Sequence, residues 1–251
     1  ILVGAIACAP SEEGGDPEAR KAAFSALEEA QQELQAKRQE LAELGDRIAA
    51  GVEAIEVPEG SEQTAEQMLE EMRARRQALE AEVTAEADAL MSQIVSFINE
   101  DPWIEGEEKT ELQAGAVRLK SSEDLILAME YVEEGGDYKR AGDILSRALE
   151  IDPDNQELLD KLAWVEEMRF MTEERFAGVE IGMTQDEVRE VLGQPNLNNV
   201  REYEDGRVGW FYPRGANAVA DGAAGVYFQS ERGVLKVYEA NFDALKPQQE
   251  G

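Results

Sequence analysis

An apolar residue recurs every seven positions near the start of the chain, and this period constrains the fold more than any other feature. The recurring residues are Leu27, Leu34, Leu41, Ile48 and Ile55. A seven-residue period is typical of a helix that packs along the seam of a coiled coil. Ala30 and Leu44 fit the intermediate positions of that seam, but Lys37 and Gly51 do not. We therefore expect a long helix with a narrow apolar stripe.

A second helical pattern follows a short break. The segment "VPEGSEQT" (57–64) contains a proline and a glycine that cannot continue a helix. Thr64, with Gln67 three residues later, matches the capping box that starts a new helix. Apolar residues of this second helix are Met68, Met72, Leu79, Val83, Leu90, Ile94 and Phe97. Two long arms joined by a short turn predict an antiparallel hairpin over residues 18–100. A parallel homodimeric coiled coil is the alternative.

The charge of the chain and its missing residue types limit its chemistry. The sequence has 55 acidic and 24 basic residues, a net charge of −31, which argues against binding nucleic acid because phosphates require basic surface. It contains no histidine and one cysteine. The commonest general base, the commonest metal ligand and any intramolecular disulfide are therefore missing. We expect no catalytic residue, no cofactor and no metal site, and the many paired carboxylates fit solvated helix faces.

The middle of the chain, residues 101–171, has the pattern of short packed helices. Residues 103–120 predict a short helix whose Trp103 docks on an apolar surface. From Gly136 onward the sequence resembles the second half of a tetratricopeptide repeat. The matching residues are Gly136, Asp137, Tyr138, Ala141, Leu145, Ala148, Leu149, Asp152, Pro153 and Asn155. The preceding helix departs from the repeat, since Met129 stands where a small residue is usual. A third helix is expected over 154–171.

The last segment, residues 172–251, predicts a small α+β module. Thr184 and Glu187 form a capping-box pattern, and Gly193 and Pro195 end the short helix that it starts. The strand-like segments that follow are "NVREYE", "RVGWFYP", "AGVYFQ" and "GVLKVYE". Asp205-Gly206 and "SERG" (230–233) are turn signals between them. We expect a helix packed on an antiparallel sheet of three to four strands.

This module resembles the SmpA/OmlA family, the BamE-like domain of outer-membrane assembly lipoproteins. The residues that carry the resemblance are Gly182, Met183, Thr184, Val188, Leu192, Gly193 and Pro195, together with the aromatic strand Trp210-Phe211-Tyr212. The resemblance covers about residues 172–245, and it implies protein binding without chemistry. The same architecture occurs in secreted β-lactamase-inhibitor proteins, where the sheet face binds an enzyme. The loop 213–224 departs from the pattern as a Gly/Ala-rich insertion.

Trp210, Phe211 and Tyr212 are consecutive, so a strand must direct Phe211 to one face of the sheet and its neighbours to the other. Ordinary packing under the helices is one interpretation. The other is an exposed aromatic patch that binds a partner, because aromatic residues are enriched at binding hot spots. Both remain open from the sequence.

Cys8 is the only cysteine, and "AIAC" (5–8) resembles a bacterial lipobox. The resemblance implies cleavage before Cys8, lipidation of its thiol and a signal-peptide tail before it. Ala5 departs from the usual Leu or Val. The acidic linker up to residue 17 suits a tether, and Ala9 replaces the Asp that favours inner-membrane retention. These features predict a lipid-anchored protein facing the bacterial periplasm, in the outer membrane rather than the inner.

The sequence therefore predicts a multidomain α+β lipoprotein of the bacterial cell envelope. Its expected parts are 1–17, 18–100, 101–171 and 172–251. We expect a non-enzymatic scaffold that binds other envelope proteins, with a role in outer-membrane protein assembly implied by the resemblance. An inhibitor-like or ligand-binding module that uses the sheet face is the alternative, and an enzyme acting through carboxylates is a third hypothesis.

Overall fold

The computed structural model describes residues 16–58, 61, 63–104, 106–217 and 221–245. Within these residues, seven α-helices precede a four-stranded antiparallel sheet, which confirms the predicted α+β class. The helices are α1 (Pro17–Ala49), α2 (Ala65–Glu100), α3 (Glu111–Gly135), α4 (Tyr138–Ile151), α5 (Gln156–Arg169), α6 (Glu173–Phe176) and α7 (Gln185–Leu192). The strands are β1 (Val200–Glu202), β2 (Val208–Pro213), β3 (Ala223–Glu231) and β4 (Val234–Leu245).

The chain divides after Lys120 into two compact units. The described residues up to Lys120 are called the hairpin unit below, and those from Ser121 onward are called the sheet unit. The four-part division expected from the sequence, with boundaries at residues 17, 100 and 171, stays a prediction.

Helices α1 and α2 pack against each other in opposite directions. Arg20, near the start of α1, donates a 3.0 Å hydrogen bond to the carbonyl of Phe97, near the end of α2. Glu40, later in α1, pairs at 3.0 Å with Arg75, early in α2. Both contacts are those of an antiparallel hairpin. Its buried core residues are Leu27, Leu34, Leu44, Leu69, Met72, Leu79, Val83, Leu90, Ile94 and Phe97.

Two details explain how polar residues fit the hairpin. Lys37, which does not suit an apolar seam, forms an ion pair with Glu86 and a second with Glu82 at 3.8 Å. The hydrogen bond to Glu86 raises the pKa of Lys37, so the lysine head stays charged at the edge of the seam. Thr64 and Gln67 form the predicted capping box at the start of α2.

Helix α3 corrects the short helix predicted for residues 103–120. It runs without interruption from Glu111 to Gly135, because no proline occurs in this stretch to end it. Gly115 lies inside this helix, where a Cβ atom would be 2.4 Å from the Cζ atom of Phe24. The glycine therefore makes room for an aromatic ring of α1. Trp103 precedes the helix and is half-buried, with the Lys109 ammonium 4.8 Å from its ring centre.

In the sheet unit, the end of α3 packs with α4 and α5. Asp137 caps α4 and Asn155 caps α5, each through its side-chain oxygen. The buried residues of this helical core are Ala128, Val132, Tyr138, Ala141, Ile144, Leu145, Ala148, Leu158 and Val165. The small Ala141 and Ala148 are at most 1% exposed, as close helix packing requires. The likeness to a tetratricopeptide repeat stays a prediction.

The four strands follow one another in the order β1-β2-β3-β4. The turn between β1 and β2 contains Asp205-Gly206, as predicted, and Tyr203 and Arg207 are joined across it by a 2.9 Å backbone hydrogen bond. Strand β4 continues to Leu245, beyond the segment expected from the sequence. The helix-facing core of the sheet consists of Met171, Phe176, Val188, Leu192, Trp210, Tyr212, Ala224, Val226, Phe228 and Val237.

Candidate binding face of the C-terminal sheet

The predicted motif before α7 attaches that segment to the edge of the sheet. Gly182 has φ +94°, and its N–H donates to the carbonyl of Val237 at 2.8 Å. The carbonyl of Met183 accepts from the Val237 N–H at 2.8 Å. This pair of bonds covers part of the free edge of β4, which would otherwise offer its backbone to another strand.

Thr184 starts α7 through the predicted capping box. Its hydroxyl accepts from the Glu187 N–H at 3.3 Å, and its own N–H donates to the Glu187 carboxylate at 2.7 Å. The hydrogen bond from the Thr184 backbone lowers the pKa of Glu187, and the hydrogen bond from the Thr184 hydroxyl lowers it further. Val188 and Leu192 of this helix are at most 1% exposed and face the sheet core.

The end of α7 packs between two tyrosines of different elements. Gly193 has φ +85°, and a Cβ atom there would be 2.4 Å from the Tyr138 hydroxyl. The Tyr212 hydroxyl donates to the Gly193 carbonyl at 3.2 Å. Pro195 is buried, and its carbonyl oxygen lies 2.4 Å from where a Cβ on Gly136 would be. The seven motif residues therefore hold α7 in place by backbone bonds, a helix cap and packing.

The aromatic strand is buried on both faces of the sheet. Trp210 and Tyr212 face the helices, and the Trp210 ring lies 4.6 Å from that of Phe228. Phe211 faces the opposite side and is nevertheless only 6% exposed. Of the two interpretations left open, ordinary packing therefore fits and an exposed patch formed by this strand's own aromatic residues does not, because all three side chains are buried.

The side chains that bury Phe211 belong to an aromatic surface on the side of the sheet away from α7. Strand pairing places Phe211 opposite Gly225, and Tyr227 opposite Gly209. Each aromatic ring therefore has a glycine as its cross-strand neighbour, and the rings of Phe211 and Tyr227 meet edge to face at 5.8 Å. Cross-strand partners share a face, so these rings lie on the side of the sheet away from α7, called the outer face below.

Two further tyrosines extend the outer face to both edges of the sheet. Tyr203 follows β1, is 36% exposed and lies 3.3 Å from where a Cβ on Gly209 would be. Tyr238, in β4, has its ring 6.3 Å from that of Tyr227. Arg207 lies 5.7 Å from the ring centres of both Tyr203 and Tyr238 and donates to the Tyr238 hydroxyl at 3.0 Å.

Arg201 is the second arginine of the outer face. Its guanidinium lies 4.8 Å from the ring centre of Phe211, a cation–π contact, and its side chain is exposed. Among the described residues, no carboxylate forms an ion pair with it, whereas Arg207 pairs with Asp205 at 2.8 Å. An exposed guanidinium held next to an aromatic ring is available to a carboxylate of another molecule.

Two groups of the outer face have pKa values shifted by their neighbours. Partial burial raises the pKa of Tyr227. The neighbouring Tyr203, Glu239 and Tyr238 raise it by smaller amounts. The hydrogen bond to Tyr238 raises the pKa of Arg207. The face thus presents tyrosine hydroxyls, aromatic rings and two guanidinium groups, with Glu239 opposite Tyr227. Such groups recognise a surface by stacking, hydrogen bonding and charge.

The other positions that the sequence singles out are Cys8 and the 213–224 loop. Cys8 lies outside the described residues. Within residues 16–58, 61, 63–104, 106–217 and 221–245, no three His, Cys, Asp or Glu side chains are placed to hold a metal ion. None of the helices in those ranges combines the length and apolar character needed to cross a bilayer. Part of the 213–224 loop is described, and there Asn217 donates from its backbone to Asp221 at 2.9 Å.

The outer face had a sequence signal that can be interpreted only once the strand pairing is known. Gly209 and Gly225 interrupt strands otherwise rich in aromatic and branched residues, which indicates close approach of another group. The sequence does not say which ring approaches which glycine, because that depends on the register between strands.

Comparison with protein-family models, with curated proteins and with solved structures gives no match to this chain. The resemblance to the SmpA/OmlA family stays a prediction based on the residues given above.

Proposed function

We propose that this chain is a non-enzymatic binding protein that docks a protein partner on the outer face of its C-terminal sheet. The observation that carries the proposal is the Arg201 guanidinium 4.8 Å from the ring centre of Phe211, exposed and without a carboxylate partner among the described residues. Exposed Tyr203 flanks it on the same face. Tyrosine and arginine are the residue types enriched at binding hot spots.

The partner is a folded protein that brings a carboxylate to Arg201. A sheet face is broad and shallow, which suits a protein surface better than a small ligand that needs an enclosed pocket. The chain as a whole has a net charge of −31 and repels an acidic partner at long range. The two arginines therefore attract a carboxylate only once it is close to the outer face. Complementary charge of this kind sets orientation more than raw affinity.

The proposed setting is the bacterial cell envelope. Cys8 would carry the lipid anchor, the folded part would face the periplasm, and the outer membrane is favoured over the inner because Ala9 follows the cysteine. The lipobox-like segment and the likeness of the C-terminal module to lipoprotein domains support this setting. In it, the chain would serve as a scaffold subunit of an envelope complex, with outer-membrane protein assembly as its process.

The test is quantitative capture by the full-length native protein from envelope extracts. The site variant is Arg201→Ala with Tyr203→Ala. The matched control is Arg140→Ala with Tyr131→Ala, since Tyr131 is 37% exposed and carries Arg140 at 5.6 Å from its ring centre. We expect one partner in stoichiometric amount with the wild type and the control, and at least tenfold less with the site variant.

Equal recovery with the site variant would place the interface elsewhere. Recovery of no stoichiometric partner by the wild type would reject the scaffold function. The mass of the native N-terminal peptide tests the setting separately: a diacyl or triacyl group on Cys8 supports the lipid anchor, and an unmodified Ile1 start rejects it.

A further inference from the structure

The tip of the α1–α2 hairpin contains an open apolar cleft. Its volume is about 310 Å³, and its lining consists of Arg47, Ala50, Ala54, Ile55, Glu56, Met68 and Met72. Helix α1 ends at Ala49, Gly51 has φ +79°, and a short 3₁₀ helix (Val52–Ala54) follows before α2 begins at Ala65. Ile48 and Ile55, the last apolar positions of the heptad pattern, are only partly buried here.

The apolar groups at the tip remain accessible to another molecule. Met68 and Ile55 are half-buried, and Val57 is 40% exposed. Methionine is unbranched and polarisable, so Met68 can adapt its shape to a side chain that enters the cleft. A cleft of this size lies at the lower end of the range for ligand sites and fits one large apolar side chain.

The described acidic residues near the cleft outnumber the basic ones. Between positions 46 and 76, the described basic residues are Arg47, which lines the cleft, and Arg73, Arg75 and Arg76. The described acidic residues of the same stretch are Asp46, Glu53, Glu56, Glu66, Glu70 and Glu71. The pKa of Glu66 is lowered by its backbone hydrogen bond at the start of α2, so it stays ionised. The nearby Arg75 is occupied by Glu40 and Glu82 further down the arms.

We propose that the tip cleft binds a cationic peptide segment that inserts one large apolar side chain between Ile55 and Met68. Lysine or arginine residues on either side of that apolar residue face Glu53, Glu56 and the acids at the start of α2. The opposite charges attract the segment over distance and fix its orientation, and the apolar contact holds it. This site does not depend on the outer face of the sheet.

The experiment measures peptide binding to the full-length chain by fluorescence anisotropy. The probe is a labelled peptide with a central Leu flanked by lysines, and the comparison peptide has the same Leu flanked by glutamates. We expect saturable binding of the lysine peptide that weakens at higher salt, and at least tenfold weaker binding of the glutamate peptide. Equal binding of the two peptides, or no saturable binding of the lysine peptide, would overturn the proposal.

Variants locate the binding at the tip. Met68→Gln changes the cleft, and Glu53→Gln with Glu56→Gln changes its rim. Both should weaken the lysine peptide about tenfold while leaving the helical circular dichroism unchanged. The matched control is Glu28→Gln with Glu29→Gln, two exposed acids near the other end of α1, and it should bind as the wild type does. A loss in the control as large as in the rim variant would show that only net charge matters and would overturn the proposed site.

Discussion

The core of the hairpin unit follows a repeated spacing in the sequence, whereas the core of the sheet unit depends on which strands pair and in which register. In the hairpin, Leu27, Leu34 and Leu44 lie on one seam, and the same periodic rule identifies their partners in α2 except Leu69, which is buried where Met68 was expected. In the sheet unit, Phe211 is buried because Tyr227 covers it from another strand, and no period in the sequence specifies that contact. The core of a periodic unit can therefore be predicted from its sequence, whereas a strand pattern shows only which residues alternate.

The two units also differ in the chemistry that they expose. All tyrosines of the chain follow residue 130, and the outer face has four aromatic rings and two arginines. The hairpin tip instead combines methionine and branched aliphatic residues with carboxylates. One chain thus offers an aromatic, cation-bearing face and an aliphatic, acidic cleft, which suit partners of opposite character.

The largest expected effect is the loss of a core side chain in each unit. Phe228→Ala in the sheet unit should cost about 3–5 kcal/mol, and Leu79→Ala in the hairpin about 2–5 kcal/mol, because both residues are fully buried. Denaturant unfolding followed by tyrosine near-ultraviolet signals reports on the sheet unit, and helical circular dichroism follows α1 and α2 together with the helices of the sheet unit.

The exposed Val57→Ala is the control for this pair and should change stability by less than about 0.5 kcal/mol. If either core variant behaves like Val57→Ala, the packing of that unit differs from the one described.

Local signals were sufficient for much of the fold, and the failures have physical causes. The capping boxes at Thr64 and Thr184 and the turn at Asp205-Gly206 depend on neighbouring residues alone, so the sequence predicts them. The continuation of α3 to Gly135 was missed because two helical patterns met without a stop signal. The sequence does not predict the outer face, because that face depends on the strand register that places Phe211 opposite Gly225.

Alanine substitutions at two glycines distinguish the cost of backbone strain from the cost of a steric clash. Gly182 and Gly193 both have φ values in the left-handed region. A Cβ added at Gly182 would have no atom within 4 Å, whereas a Cβ added at Gly193 would meet the Tyr138 hydroxyl and Met168. Gly182→Ala should therefore cost about 1–2 kcal/mol from strain alone, and Gly193→Ala should cost clearly more.

Thermal or denaturant unfolding of the two glycine variants, followed by the tyrosine signal, makes the comparison. Equal losses would mean that the Gly193 segment can move away from Tyr138, and the contact between α4 and the end of α7 would then contribute little.

Alkaline pH should destabilise the sheet unit through its buried tyrosines. Burial raises the pKa of Tyr212 and of Tyr138 above the ordinary value of 10.0. A group with a raised folded pKa stabilises the fold fully below its unfolded pKa, and this contribution is lost as the pH rises toward the folded value. For Tyr212 the loss is about 1.4 kcal/mol per pH unit above about pH 10.

Tyrosinate difference absorbance and unfolding midpoints between neutral and alkaline pH measure this effect. Tyr212→Phe should be less stable at neutral pH, because it lacks the bond to Gly193, yet should lose less stability as the pH rises. Titration of every tyrosine at the ordinary pKa would contradict the burial of Tyr212.

The smallest expected loss of stability comes from removing the threonine of either capping box. Thr64→Ala and Thr184→Ala should each cost about 1 kcal/mol, since each removes a hydroxyl that accepts from a backbone N–H at a helix start. The boxes differ in the third residue: Gln67 cannot ionise, whereas Glu187 can.

The ionisable member makes the α7 box sensitive to acid. The folded pKa of Glu187 is lowered below 4.5 by its bonds to Thr184, so its contribution is present above pH 4.5 and is lost as the pH falls through the folded value. Glu187→Gln should keep the box, because glutamine also serves at this position, and should lose that part of the acid sensitivity. Unfolding midpoints of the wild type and Glu187→Gln, compared at neutral pH and near pH 3, measure the difference. If both proteins lose stability equally in acid, the Thr184 box gains nothing from charge and resembles the neutral box of α2.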